Sequence, residues 1–102
     1  MKELTKKNLK CNLNENEYLL TCITEECSEV IKAICKAFRF GIDHEYPSIG
    51  MTNKENIEHE IHDLLAVIYM LQEKKFFPNL IDQVKVESKV SKVEKYMKAV
   101  VK

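Results

Sequence analysis

The sequence predicts an all-α fold, an antiparallel helical bundle of three to four helices, and three observations carry that prediction. Apolar residues recur at spacings of three and four along most of the 102-residue chain. Glycine and proline number two each, and no Asn-Gly or Asp-Gly pair signals a hairpin. Gly41, Pro47 and Gly50 cluster in one segment while Pro78 stands alone, so the breakers divide the chain into three helical stretches. A domain of this size exposes much of its surface, and completion by oligomerisation is expected.

Residues 1–13 are polar and favour at most a short or frayed helix. The first long helix is expected at about 15–40, after Asn14 or Asn16 as N-cap, with Gly41 at its C-terminal cap. Its apolar stripe is Leu20, Ile23, Cys27, Val30, Ile34 and Ala37–Phe38. Cys22, Ala33 and Phe40 offer a second packable side. Thr52-Asn53-Lys54-Glu55 then reads as a capping box. It opens a second helix, at about 53–76, with Ile57, Ile61, Leu64, Ile68 and Leu71 facing inward. A third, at about 79–98 with Asn79 as its cap, carries Val86, Val90, Val93 and Met97, with Val100 continuing the pattern.

With 45% hydrophobic and 31% charged residues, the chain has a globular composition and fits a single domain over 1–102. No apolar run approaches the roughly 18 residues of a membrane span, so no membrane partner is expected. Met1-Lys2-Glu3-Leu4 lacks a signal-peptide core, and a cytoplasmic location is expected. A formal net charge of zero argues against a nucleic-acid partner. The charge is uneven: residues 15–63 hold eleven acids against four bases, a hint of a cation site. Cys11, Cys22, Cys27 and Cys35 form no CxxC, and they read as buried, reduced thiols.

The informative residues are acids at apolar positions. On a helical projection Glu60 falls inside the stripe of the second long helix and Asp63 on its flank, whereas Glu58, His59 and His62 point towards solvent. On the first helix Glu26 flanks the stripe, Glu29 lies further round and Glu25 beyond it. Each helix thus offers two acids at i, i+3, Glu26 with Glu29 and Glu60 with Asp63, on the same side of their stripes. Antiparallel packing would converge four carboxylates. A single unpaired buried carboxylate costs several kcal/mol, and a hard divalent cation removes that cost. A purely structural alternative needs a lysine partner, with Lys85 or Lys89 as the candidates.

These residues resemble the MazG-like, all-α nucleoside triphosphate pyrophosphohydrolases. The family's EExxE stands here as Glu25-Glu26-Cys27-Ser28-Glu29, and its ExxD as Glu60-Ile61-His62-Asp63. The linking segment, in Lys36-Ala37-Phe38-Arg39-Phe40-Gly41 and Thr52-Asn53, and the tail from Glu87 to Tyr96 are similar to small members. The resemblance covers roughly residues 17–97. It implies Mg²⁺, with Mn²⁺ as a substitute, on Glu26, Glu29, Glu60 and Asp63. It also implies hydrolysis of an NTP or dNTP to the monophosphate and pyrophosphate, by a homo-oligomer, dimer or tetramer. Two departures stand out: the gap between Glu29 and Glu60 is longer than is typical, and His62 occupies a place usually held by a small residue.

The expected mechanism is charge neutralisation and in-line placement of water. Glu26 or Glu29 is the expected proton acceptor, with Glu25 in a secondary role. Lys36 and Arg39 are placed to meet phosphates, Asn53 to meet base or phosphate, and Lys89 and Lys92 to close over the nucleotide. The competing reading is a non-catalytic helical protein that binds a nucleotide or dimerises; it would place an apolar residue at position 60. Zincin and di-iron patterns are absent, because His59 and His62 stand three apart and no ExxH occurs.

Overall fold

In the computed structural model, which describes residues 10–102, helix α1 spans Glu15–Phe40, α2 Asn53–Glu73 and α3 Gln83–Val100. The helix considered within residues 1–13 falls largely outside the described residues; Lys10 to Asn14 are not helical. The all-α class holds.

Local chemistry sets the starts. At α1, Asn14 Oδ1 accepts from the Glu17 amide at 2.9 Å while the Glu17 carboxylate accepts from the Asn14 amide at 3.0 Å. This reciprocal pair satisfies two N-terminal donors. At α2 the same box forms between Thr52 and Glu55. Gly41 ends α1 with φ 105, a conformation that disfavours a side chain, and its amide donates to the Ala37 carbonyl. Two boundaries differ from expectation. α2 stops at Glu73, and Lys75 just beyond it turns left-handed at φ 58. α3 begins at Gln83 because Asp82, not Asn79, accepts from the Lys85 amide.

The segment between α1 and α2 holds a short antiparallel hairpin, β1 (Glu45–Tyr46) paired with β2 (Met51–Thr52). No dipeptide announced it. Gly50, at φ 64, closes a turn in which the Ile49 and Gly50 amides both donate to the Tyr46 carbonyl. The same segment receives the first amides of α2. Asn53 N donates to His44 O and Lys54 N to Ile42 O, both at 2.9 Å.

α1 and α2 pack antiparallel along their length. Asn53 Nδ2 donates to Gly41 O at 2.8 Å at one end, and Lys74 pairs with Glu15 at the other. Leu19, Ala33, Ala37 and Leu71 are the buried apolar side chains. Ala33 and Ala37 keep the contact narrow, since axis separation follows side-chain size.

The face that α1 turns inward keeps only part of the stripe predicted for it, with Ala37 buried. Leu20, Cys27, Ile34 and Phe38 are exposed, Phe38 at 89%, while Ile23 and Val30 are half-buried. The packed line instead steps by sevens from Leu19 through Glu26 to Ala33, nearly one line on a helix. On α2 the expected face is largely kept: Leu71 is fully buried and Ile57, Leu64 and Ile68 are half-buried, with Ile61 more exposed at 39%. The cysteines are free but none is buried: Cys11, Cys27 and Cys35 are exposed and Cys22 is half-buried.

α3 departs most from the expected bundle. None of its residues is buried, and Val84, Val86, Val90, Val93, Tyr96, Met97 and Val100 are all exposed. It packs along neither α1 nor α2. The radius of gyration is accordingly 17.8 Å, against about 13 Å for a closed domain of this length.

Candidate active site

Of the four expected acids, Glu60 and Asp63 come together on α2, while Glu26 and Glu29 on α1 are not brought within ligand distance of them. Glu26 lies between buried Leu19 and Ala33 on the heptad line, in the centre of the packed face rather than on its flank. Glu60 stands seven residues after buried Asn53 and seven before half-buried Val67, so it too belongs to the contact line. Both carboxylates are half-buried, as is Glu29.

Their fields meet. Burial, and then Asp63 and Glu60 from across the interface, raise the Glu26 carboxyl above the ordinary carboxylate value, with Glu29 and Glu25 adding smaller repulsions. The repulsion from Asp63 and Glu60 records approach between helices rather than spacing along one.

Among the described residues, His59, Glu60 and Asp63 bring one ligand atom each within 4.8 Å of one another. His59 Nε2 stands 3.6 Å from Asp63 Oδ2. Sequence reasoning sent His59 to solvent, and its ring is more than half exposed. It nevertheless shares the flank of Asp63, and their i, i+4 spacing was the available signal. His62 is exposed and crowds no neighbouring helix.

The basic partners needed for a purely structural reading do not appear. Among the described residues the ion pairs are Lys32–Glu29, His59–Asp63 and Lys74–Glu15; neither Lys85 nor Lys89 reaches Glu60. The Glu29 contact, at 3.9 Å between exposed groups, is weak. Glu26 and Glu60 are half-buried carboxylates without a lysine or arginine partner, chemistry that suits a hard divalent cation.

The other expected site residues scatter. Glu25 is exposed. Lys36 Nζ lies 6.0 Å from the Tyr46 ring centroid, at the outer reach of a cation–π contact, and the Arg39 guanidinium lies 4.9 Å over Phe40. Asn53 has a different task from the one expected. It is 1% exposed, its amide donates to Gly41 O, and its Oδ1 is buried without a partner. It clasps the end of α1 to the start of α2. Lys89 and Lys92 sit on α3, which does not bring them to the acids within one chain. A cavity of about 590 Å³ beside Gln72, Phe77 and Ile81 lies past the end of α2, on the opposite side of Leu71 in sequence from the acids.

Comparison with known proteins gives one match: the family model for the MazG nucleotide pyrophosphohydrolase domain fits residues 14–97. No curated protein and no solved structure matches the chain. Among the described residues no helix is long and apolar enough to cross a membrane.

Proposed function

Because the chain belongs to the MazG nucleotide pyrophosphohydrolase family, we propose that it hydrolyses a nucleoside triphosphate, ribo or deoxy, to the monophosphate and pyrophosphate with the help of Mg²⁺ or Mn²⁺. The observation that carries this reading is Glu26, sunk in the centre of a packed helix face and facing Glu60 and Asp63. A structural protein has no use for that arrangement, since each half-buried carboxylate weakens the interface it occupies. The non-catalytic reading wants an apolar side chain at position 60, and Glu60 argues against it.

In the proposed mechanism Glu26, Glu29, Glu60 and Asp63 hold the cation. Bound there, the ion neutralises phosphate oxygens and acidifies water. Glu26 or Glu29 accepts the water proton. The water oxygen forms a bond to one phosphorus of the α–β anhydride as that anhydride bond breaks, giving the monophosphate and pyrophosphate. Lys36 and Arg39, near the end of α1, offer charge to the phosphates. Glu25 keeps a secondary role in the field around Glu26.

We further propose that the chain acts as a homo-oligomer, dimer or tetramer. The outward apolar residues of α1 and the uncovered valines of α3 argue for a second copy, which would also supply Lys89 and Lys92. A cytoplasmic setting, in which four free cysteines stay reduced, belongs to the same proposal, as does a single domain over the chain.

The test is release of pyrophosphate from a panel of NTPs and dNTPs. Release should require Mg²⁺ or Mn²⁺ and fall at least about 100-fold in Glu60→Gln and in Asp63→Asn, since metal stabilisation of the transition state supplies several kcal/mol. Undiminished turnover in both variants, each shown to be folded, removes the mechanism.

A further inference from the structure

We infer that His59 is a nitrogen ligand at the open edge of the carboxylate site, and that it tilts the site towards Mn²⁺ and away from Mg²⁺. The inference rests on the metal reading above and adds to it a side chain outside the four acids.

The i, i+4 pair of His59 and Asp63 has a spacing that also suits two ligands of one ion. His59 Nε2 and Asp63 Oδ2 are 3.6 Å apart, beyond the range of a good hydrogen bond between nitrogen and oxygen. Two neighbouring ligand atoms on one ion, each about 2.1 Å from it, stand roughly 3 to 3.5 Å apart. The observed spacing therefore asks for only a small inward movement. Glu60 supplies the third atom of the same group, all within 4.8 Å. His59 lies one residue before Glu60 and one turn before Asp63, so its ring reaches along the solvent side of the acids while Glu26 faces them from α1. A more than half-exposed ring is free to make that movement without repacking the helix pair.

The consequence concerns ion choice. Mg²⁺ takes oxygen ligands and keeps its waters. Mn²⁺ shares that taste for carboxylates but, as a first-row transition ion, gains more from a nitrogen ligand than Mg²⁺ does, and Co²⁺ gains more again. Four carboxylates alone give an all-oxygen site. One imidazole at its rim adds affinity for Mn²⁺ or Co²⁺ that Mg²⁺ shares far less.

The experiment titrates the full chain with Mn²⁺ alone, following free Mn²⁺ by electron paramagnetic resonance, and then displaces Mn²⁺ with Mg²⁺. It is run on the wild type, His59→Ala, His59→Gln and Glu60→Gln. In both His59 variants Mn²⁺ affinity should fall about tenfold, the scale on which metal sites respond to loss of a coordinating or orienting partner. Mg²⁺ affinity should change far less, so the Mn²⁺/Mg²⁺ ratio drops. Loading with Co²⁺ should give a visible absorption spectrum that changes in His59→Ala. An unchanged ratio overturns the inference, whether both affinities hold or both fall together; a parallel fall would make His59 a partner of Asp63 only. Loss of Mn²⁺ binding in Glu60→Gln alongside an unchanged ratio in His59→Ala sinks this inference and leaves the proposed function standing. Absence of Mn²⁺ binding to the wild type overturns both.

Discussion

The pairing of α1 with α2 and the isolation of α3 are built from similar apolar content and end in opposite states. α2 spends its apolar line on α1 and buries Leu71 completely, while α3 repeats valine at Val86, Val90 and Val93 and buries nothing. The difference lies in what each helix is offered. Ala33 and Ala37 give α2 a narrow seat, fixed at one end by the Asn53–Gly41 clasp and at the other by the Glu15–Lys74 pair. The turns after Glu73 carry α3 away from both helices. Acids are concentrated in the finished interface, where apolar burial is strong enough to hold them, and α3 carries lysines beside an uncovered apolar groove. On the proposed reading the acids stand in the part that one chain completes, and a second copy would cover the rest.

That contrast can be broken at its strongest point first. Leu71→Ala should destabilise the chain by about 2–5 kcal/mol, the range for a fully buried leucine, as a lower urea midpoint. A loss under about 1 kcal/mol would mean that the α1–α2 contact does not hold the fold.

A smaller effect comes from pH. In the metal-free protein, burial and the facing acids hold Glu26 above the ordinary value of 4.5, so ionised Glu26 opposes folding. The folded state then binds more protons than the unfolded one in this window. Stability should therefore rise as pH falls through the raised Glu26 value towards 4.5. Glu15 has the opposite sign. Its hydrogen bond and attraction to Lys74 hold it below 4.5, so its contribution, present above that value, is lost as pH drops further. Thermal melts across this range should pass through a maximum. Saturating Mg²⁺ should remove the acid-side rise, because the cation takes over the neutralisation.

The smallest change in folding is expected on α3. Val93→Lys should alter the stability of the dilute, dissociated chain by no more than about 0.5 kcal/mol, as for an exposed position. Light scattering should nevertheless show a lower assembly mass. Unchanged mass in a double Val93→Lys, Met97→Lys variant would place the oligomer contact elsewhere.

Much of this was readable before the structure, for local reasons. Asn14 with Glu17, and Thr52 with Glu55, are chemical signals within four residues of each other, and they set both long helices. Glu60 was legible because the apolar pattern around it had one inward solution. α1 was less legible because it carries two packable sides. The larger residues of the predicted stripe, Leu20, Ile34 and Phe38, outscored Ala33, which with Ala37 lets a helix approach. Glu26 was consequently read as a flank residue when it is central. The position of α3 depends on turns with no periodic signal, and its valines look the same whether covered by this chain or by another. His59 was set aside on its distance from His62, when Asp63 was the residue to measure from.

The claim that everything else depends on is that Glu60 weakens the metal-free interface and is tolerated for the sake of a cation. Thermal unfolding of the wild type and Glu60→Leu, each with and without Mg²⁺, tests it directly. The wild type should gain stability on adding Mg²⁺, whereas Glu60→Leu should start more stable without the ion and gain little from it. A Glu60→Leu protein that is less stable than the wild type without metal, and still responds fully to Mg²⁺, would contradict the account.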